Sequence, residues 1–360
     1  MSAVHKLVRS HLSDTTTFAS VDPPEVLARR AGVPEDRIIR LNANENPYGA
    51  SPKVSEALAT LPTHLYPDPL QRKIRGALSK YTGVDPANIV CGAGSDELID
   101  LLFRLFVSPG AGIIECDPTF GMYSFCARIA GARIISVPRD QTFAIDLPAI
   151  RNAIDADTRM IFLDSPNNPT GNSITQDQVR ALLDTGLMVV VDEAYHEFCG
   201  ETAAKLVAEY ENLVVLRTFS KWAGIAGLRV GYGIMSSSLV QHIIDIKSPY
   251  NVNSAGEAAL LASLEDADSL LHKVRLIVDE RERMFSLLKG FKGVQPWPSG
   301  GNYLLCEFEP GRAPAIHDAL AKRGIFVRNF SHVRLRDFFR ISVGTPEHTD
   351  SLILTLAELA

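Results

Sequence analysis

Short apolar runs alternate with amphipathic stretches between Asn88 and Ile234. Runs this apolar are typical of strands covered on both faces, and their alternation with helical patterns predicts right-handed crossovers in a mostly parallel sheet. The predicted strands cover residues 89–91, 112–116, 160–163, 187–191, 213–216 and 228–234. The predicted helices between them cover residues 96–107, 122–129 and 176–183. The pattern therefore predicts a helix-covered α/β domain.

The pattern changes after Pro249. A helical stretch over residues 255–288 is followed by predicted strands at 302–307, 326–328 and 339–343 and by a helix at 314–323. Helices and strands in this order predict a smaller α+β lobe, which the N-terminal segment joins. The predicted division is a large domain over residues 41–250 and a small domain built from residues 1–40 and 251–360.

Polar and small residues follow each predicted strand of the large domain. These segments cover residues 92–96, 117–120, 164–171, 192–195 and 218–221. In open parallel sheets, ligands bind beyond the carboxyl ends of the strands. The sequence therefore predicts a ligand site at this edge of the sheet.

Lys221 lies just past a predicted buried strand, among small residues. Burial in such a place lowers the pKa of a lysine and prepares its amine to form an imine with an aldehyde. The alternative is an ordinary surface lysine, with Ser220 as a turn residue.

Asp192 ends the apolar run 188–191, where an unpaired carboxylate would be costly to bury. A protonated pyridine nitrogen is one partner that offsets this cost, and the ion pair keeps the ring able to accept electrons. The alternative is a carboxylate that caps the following helix.

Two further segments suit parts of the same ligand. Residues 167–171 read Asn-Asn-Pro-Thr-Gly, which is either a plain turn or a loop that gives Asn168 a hydrogen bond to a ring hydroxyl. Residues 92–95 read Gly-Ala-Gly-Ser before a helix and offer backbone N–H groups to a phosphate, although they match neither the dinucleotide fingerprint nor the P-loop. Thr218, Ser220 and Arg229 could supplement this phosphate site.

Composition narrows the class of partner. The 360 residues carry a net charge of −6 without a dense Lys/Arg run, so a nucleic-acid surface is not expected. No run is long enough to span a bilayer, and residues 1–20 contain no signal-like apolar stretch. The five cysteines include no C-x-x-C pair and predict reduced thiols. A cytoplasmic protein with small-molecule substrates is expected, and no metal site, because the His196 segment lacks the second histidine of a zinc helix.

The order and spacing of four motifs resemble those of fold-type I aminotransferases that depend on pyridoxal phosphate. The motifs are Asn-Asn-Pro-Thr-Gly at 167–171, Asp-Glu-Ala-Tyr at 192–195, Ser-Lys at 220–221 and Gly-Leu-Arg at 227–229. Segments 41–49, 66–68 and 117–123 are similar to those of the histidinol-phosphate aminotransferase subgroup. The resemblance covers roughly residues 41–346.

The resemblance implies a role for each cofactor-site residue. Lys221 would hold the imine and move the proton, and Asp192 would pair with the ring nitrogen. Asn168 and Tyr195 would bind the phenolic oxygen, and Phe120, unless it is a plain core aromatic, would stack on the ring. The implied phosphate contacts are Ser95, Asp96, Thr218, Ser220 and Arg229, with Tyr66 reaching the site of the neighbouring subunit in a homodimer.

Arg328 and Arg340 match substrate-binding arginines of the subgroup, where they and Asn168 would face the substrate. Both could instead form structural salt bridges. Relatives often carry a tyrosine-containing segment near the N-terminus that closes over the substrate phosphate, whereas residues 20–25 here have no tyrosine.

The implied reaction is transamination of L-histidinol phosphate with 2-oxoglutarate, giving imidazole acetol phosphate and L-glutamate in histidine biosynthesis. One alternative is an aromatic amino-acid aminotransferase, and another is a threonine-phosphate decarboxylase with the same cofactor. A third is a non-catalytic sensor, which the acidic chain without an extra N-terminal domain argues against.

Overall fold

The computed structural model describes residues 4, 7–13 and 20–359. Its largest sheet has seven strands in the order β2-β8-β7-β6-β5-β3-β4. β8 runs antiparallel to both its neighbours, and the other pairings are parallel. These strands are β2 (Ile89–Gly92), β3 (Gly112–Asp117), β4 (Arg133–Pro138), β5 (Thr158–Asp164), β6 (Met188–Asp192), β7 (Leu213–Thr218) and β8 (Gly231–Ile234).

Helices cover both faces of this sheet. In β6, Val189 and Val191 belong to one buried cluster and Val190 to another, because successive side chains of a strand point to opposite faces. The helices before and within this region are α1 (Pro24–Ala31), α2 (Pro52–Ala59), α3 (Arg72–Thr82), α4 (Ser95–Phe106), α5 (Met122–Ala130), α6 (Leu147–Asn152), α7 (Gln176–Leu183), α8 (His196–Cys199) and α9 (Ser237–Ile246). The predicted α/β class with a mostly parallel, helix-covered sheet is confirmed.

Two smaller sheets involve the C-terminal part of the chain. One is antiparallel in the order β12-β10-β9, and the other pairs β1 with β11 in parallel, joining the N-terminal segment to the C-terminal one. These strands are β1 (Ile39–Leu41), β9 (Val294–Pro296), β10 (Tyr303–Phe308), β11 (Ile325–Val327) and β12 (Phe338–Ser342). The helices are α10 (Ser254–Glu265), α11 (Ala267–Lys289), α12 (Ala313–Lys322) and α13 (Pro346–Leu359).

Three sequence predictions need correction. The predicted helix over 255–288 is two helices, because Asp266 leaves the helical conformation and accepts a 2.5 Å hydrogen bond from Ser51. The predicted strand over 228–234 begins only at Gly231, since Arg229 adopts a left-handed backbone with φ of 53°. β4 was not predicted, because it is a half-exposed edge strand without a continuous apolar run.

Within the described residues, no helix has the length and apolarity needed to cross a bilayer. All five cysteines are free thiols, as expected, and four of them are buried. Residues 1–3, 5, 6 and 14–19, on which part of the signal-sequence prediction rests, lie outside the described residues.

Candidate active site

Lys221 lies three residues beyond β7, and its side chain is partly buried rather than at the surface. Its Nζ donates to the carbonyl of Ala43 at 3.3 Å and lies 6.0 Å from the ring centroid of Tyr195. Burial, with a further contribution from the positive charge of Arg340, lowers the pKa of Lys221 to about 8. The amine is therefore much closer to its nucleophilic form than a solvated lysine would be, which contradicts the surface-lysine alternative.

Asp192 closes β6 with a buried carboxylate. The carboxylate accepts hydrogen bonds from the Tyr123 hydroxyl and the Ala194 N–H, both at 3.1 Å. Burial, aided by the nearby Asp164 carboxylate, raises the pKa of Asp192 to about 7. It does not cap α8, whose N-cap is Tyr195, so the capping alternative is wrong. A nearby cationic group of a ligand would stabilise the ionised form of this buried carboxylate.

Tyr123 is a site neighbour that the sequence analysis missed. It lies on α5, three residues after Phe120. The two rings form a T-shaped contact, with centroids 5.7 Å apart and an interplanar angle of 86°. Spacing of three places side chains on one face of a helix start, which is the signal that could have found it. Phe120 is half-buried and packs against the ring that holds the Asp192 carboxylate.

Tyr195 is buried, and its hydroxyl accepts a 2.9 Å hydrogen bond from the side-chain amide of Asn44. Burial raises the pKa of Tyr195 to about 12. Asn44 is itself fixed by Ser342, which accepts from its backbone N–H at 2.9 Å and donates to its Oδ1 at 2.8 Å. Asn44 belongs to segment 41–49 but was not predicted as a site residue, since its partners are distant in sequence.

Arg340 and Asn168 are joined directly. Arg340 Nη1 donates to Asn168 Oδ1 at 2.6 Å, and Nη2 donates to the Asn42 carbonyl at 2.8 Å. Among the described residues, the buried guanidinium has no carboxylate partner, and its Nε has no hydrogen-bond partner. The salt-bridge alternative for Arg340 is therefore wrong, and the group is suited to an external anion.

Arg328 lies beside Arg340 across two backbone hydrogen bonds of 3.0 and 2.9 Å. Burial lowers the pKa of both arginines. Arg328 directly follows β11 and Arg340 lies in the middle of β12, and the positive charge of Arg328 contributes to the lowered pKa of Arg340.

The predicted phosphate contacts meet where β2 and β7 end and β8 begins. Gly231 of β8 pairs with Gly92 on one side and Thr218 on the other, which brings the start of α4 next to the segment after β7. A Cβ on Gly231 would lie 2.4 Å from the Ser95 nitrogen, so only glycine permits this approach. The site thus combines a helix N-terminus with nearby hydroxyl groups.

Arg229 reaches across this position. It forms a 2.8 Å ion pair with Asp96, and a Cβ on Gly94 would lie 2.6 Å from its Nη2. Thr218 and Ser220 place their hydroxyl oxygens 3.0 Å apart. The five predicted phosphate contacts, Ser95, Asp96, Thr218, Ser220 and Arg229, are therefore in one region.

Tyr66 lies outside this cluster. Its side chain is 79% exposed and stacks on the ring of Tyr250, with centroids 4.3 Å apart. An exposed pair of stacked tyrosines is a surface suited to contact with another protein molecule.

Comparison with known proteins gives consistent matches. The model of the aminotransferase class I and II family matches residues 36–356. Histidinol-phosphate aminotransferase of Roseiflexus castenholzii is 46% identical over 369 aligned residues, covering 100% of both chains. A chloroplastic histidinol-phosphate aminotransferase of Arabidopsis thaliana is 44% identical, covering 98% of this chain and 85% of that one. A solved histidinol-phosphate aminotransferase from Sinorhizobium meliloti, in complex with pyridoxal-5'-phosphate, has a TM-score of 0.89 and 28% identity, covering 98% of each chain.

Proposed function

The chain belongs to the class I and II aminotransferases, within them to the histidinol-phosphate aminotransferases, and from this membership we propose its reaction. The enzyme transfers the amino group of L-histidinol phosphate to 2-oxoglutarate, producing imidazole acetol phosphate and L-glutamate in histidine biosynthesis. The observation that carries the proposal is the partly buried Lys221, with its pKa lowered to about 8, together with the buried Asp192, with its pKa raised to about 7.

The residues present fit pyridoxal phosphate. Asp192 lacks a cationic partner among the described residues, Lys221 is an activated amine, and a glycine-lined helix start adjoins Arg229. When bound, this cofactor supplies an aldehyde carbon and a cationic ring that accepts the electron pair released at the substrate Cα.

Four residues act on the ring in this proposal. Asp192 holds a proton on the ring nitrogen, and that cation in turn favours the ionised carboxylate. Asn168, whose Oδ1 is held by Arg340, offers its amide N–H to the phenolic oxygen. Tyr195 offers its hydroxyl to the same oxygen, and Phe120 covers the ring face.

Lys221 is the acid–base group. Its Nζ would hold the cofactor through the aldehyde carbon and, when free, would take the proton from the substrate Cα and release it again. A pKa lowered to about 8 suits both directions of this transfer near neutral pH.

The phosphate is assigned to one set of residues and the substrate anion to another. Ser95 and Asp96 would bind the phosphate through backbone N–H groups, while Thr218, Ser220 and Arg229 would bind it through side chains. Arg340 would pair with the carboxylate of glutamate and, with Arg328, with the distal phosphate of histidinol phosphate. Because residues 20–25 lack the tyrosine of many relatives, the two arginines would carry more of this contact.

We also propose an assembly, a location and a domain division for the enzyme. The enzyme works as a homodimer in which Tyr66 reaches the phosphate of the neighbouring site. It is located in the cytoplasm. Residues 41–250 form the cofactor domain, and residues 1–40 and 251–360 form a small domain.

A donor panel tests the proposal. Purified enzyme loaded with pyridoxal phosphate is mixed with histidinol phosphate, glutamate or phenylalanine, and the loss of visible cofactor absorption is followed. We expect the highest kcat/KM with histidinol phosphate and no reaction in a Lys221→Ala variant. Phenylalanine as the preferred donor would favour the aromatic aminotransferase, and carbon dioxide release from added threonine phosphate without a 2-oxo acid would favour the decarboxylase.

A further inference from the structure

A second buried carboxylate lies beside the one assigned to the ring nitrogen. Asp164 is the last residue of β5, is 3% exposed, and is the direct strand partner of Asp192 at the end of β6. Partner residues of parallel strands project from the same face of a sheet. The two carboxylates therefore share the ligand-facing end of the sheet, and the proposed function uses only one of them.

Asp164 binds both loops that frame the proposed cofactor ring. Its Oδ2 accepts the backbone N–H of Asn168 at 2.7 Å, and its Oδ1 accepts the hydroxyl of Thr119, the residue before Phe120, at 2.8 Å. A charged acceptor makes such bonds stronger than a neutral one would. One carboxylate thus binds the residue that precedes Phe120 and the backbone of Asn168.

Arg139 opposes the rise that burial causes in the pKa of this carboxylate. Its guanidinium is 0% exposed, lies 3.4 Å from Asp164 Oδ1, and donates to the Asn167 side chain at 2.7 Å. It also donates to the carbonyls of Cys116 and Phe143, at 3.0 and 3.2 Å. A buried ion pair seldom stabilises a fold more than apolar side chains of equal volume do. The Asp164–Arg139 pair lies at the end of β5 and binds Asn167 and Asn168, which indicates a role in the site and not only in stability.

We propose that Asp164 is a positioning residue for transamination, which holds the Asn168 backbone so that the Asn168 amide stays directed at the phenolic oxygen of the cofactor. Arg340 holds the same residue from its side-chain oxygen, so Asn168 is fixed at two points. Arg139 offsets the repulsion between the neighbouring carboxylates. The inference rests on the proposed function.

A mutant cycle on the holoenzyme tests the inference through the pH midpoint of the visible absorption of the bound cofactor, a readout separate from turnover. Asn168→Ala is expected to shift this midpoint by about one pH unit, the effect of one hydrogen bond to a charged oxygen. Asp164→Asn is expected to shift it in the same direction by at least about half as much. In the Asn168→Ala background, Asp164→Asn is expected to add nothing, because it acts through Asn168.

Glu115→Gln is the matched control. Glu115 is a buried carboxylate of the neighbouring strand β3 that binds Ser124 at 2.6 Å, and its replacement is expected to leave the midpoint unchanged. If Asp164→Asn does not fold, Asp164→Ser replaces it in the same mutant cycle. Serine removes the carboxylate without placing an amide group against Arg139.

Two results would overturn the inference: a midpoint that Asp164→Asn leaves at the wild-type value, or a shift of equal size with and without Asn168. Failure of the proposed function has a different signature, since a wild type without visible cofactor absorption or transaminase activity would remove the inference together with its premise. A wild type that is yellow and active, with Asp164→Asn indistinguishable from Glu115→Gln, would refute the role of Asp164 alone.

Discussion

Burial changes the pKa of two proposed catalytic residues in opposite directions. It raises the pKa of Asp192 to about 7 and lowers that of Lys221 to about 8, because in each case the charged form loses hydration. Near neutral pH both groups are more easily neutral than solvated counterparts would be. A bound ring cation would reverse this for Asp192, so cofactor binding and ionisation of this carboxylate are coupled.

The pKa of Asp192 predicts how the stability of the cofactor-free protein depends on pH. The native carboxyl group keeps its proton up to about pH 7, whereas the unfolded one loses it at about pH 4. The native state therefore binds more protons in this window, and the free energy of unfolding falls as the pH rises, by at most about 1.4 kcal/mol per pH unit from this group. Below pH 8 the contribution of Lys221, whose pKa is lowered to about 8, is constant.

Chemical denaturation of wild type and Asp192→Asn between pH 4 and pH 7 measures this effect. We expect the stability of the wild type, relative to the variant, to decrease across the window. Saturating cofactor should remove this decrease in the wild type. Parallel curves for the two cofactor-free proteins would contradict the assignment.

Arg340→Lys should weaken substrate binding more than it weakens the fold. The lysine keeps the charge but loses the fork that holds Asn168 and Asn42 and faces the substrate anion. We expect KM for glutamate and histidinol phosphate to rise roughly 10-fold or more. Arg323→Lys, at an exposed ion pair with Glu358, is the control and should leave KM unchanged. Steady-state kinetics with both substrates measure KM for the two variants, and an equal rise in both would contradict the role of Arg340.

At the scale of elements, the phosphate site depends on how closely β8 approaches the start of α4. Gly231 lies between Gly92 and Thr218, so three separate strand ends meet there. The backbone of Gly94, with φ of 79°, turns the chain into α4. Sequence motifs indicated the segments that form the phosphate site, whereas the distances between these segments depend on the order of the strands in the sheet.

Gly94→Ala should reduce cofactor affinity as well as stability. A Cβ at this position would lie 2.6 Å from Arg229 Nη2 and would displace the proposed phosphate ligand. Gly186→Ala is the matched control, because Gly186 has a similar φ of 77° but nothing within 4 Å of the added Cβ. Each variant should lose about 1 kcal/mol of unfolding free energy.

Fluorescence titration of the cofactor-free proteins with pyridoxal phosphate distinguishes these two variants. Only Gly94→Ala should raise the cofactor Kd, by roughly 10-fold, the effect of losing one charge-assisted contact. Equal Kd values would mean that the Gly94–Arg229 contact is unimportant for the phosphate.

At the scale of the whole molecule, the exposed Tyr66 provides a test of the shared site. A homodimer in which Tyr66 completes the neighbouring site can be complemented between two inactive variants. Tyr66→Ala subunits carry Lys221 and lack the tyrosine, while Lys221→Ala subunits provide the tyrosine to their partner. Each hybrid dimer would thus contain one complete site.

Mixing the two variants after mild dissociation should restore up to roughly a quarter of the wild-type activity, since half of the dimers are hybrids with one intact site each. Sedimentation velocity verifies that the mixture is dimeric. Dimeric hybrids without restored activity would show that each site is complete within one subunit. Tyr210→Ala is the control for Tyr66→Ala. It also removes a tyrosine, and we expect its homodimer to be fully active without any mixing.

The sequence by itself determined the α/β class, the positions of most strands along the chain and the chemistry of the main site residues. Apolar strands are clear in the sequence because both faces are buried, and Lys221, Asp192 and Asn168 lie at the carboxyl ends of such strands or within four residues of them. The half-exposed β4 and the break at Asp266 were missed, since an edge strand and a side-chain contact leave no periodic signal.

Only the tertiary structure decided which side chains surround the site residues. Tyr123 reaches Asp192 from 69 residues away, Asn44 reaches Tyr195 from 151, and Arg340 reaches Asn168 from 172. The pairing of Asp164 with Asp192 follows from strand register. Hydrogen bonds and pKa shifts depend on distances of a few ångströms between such groups, which the packing of strands and helices fixes and a linear pattern does not contain.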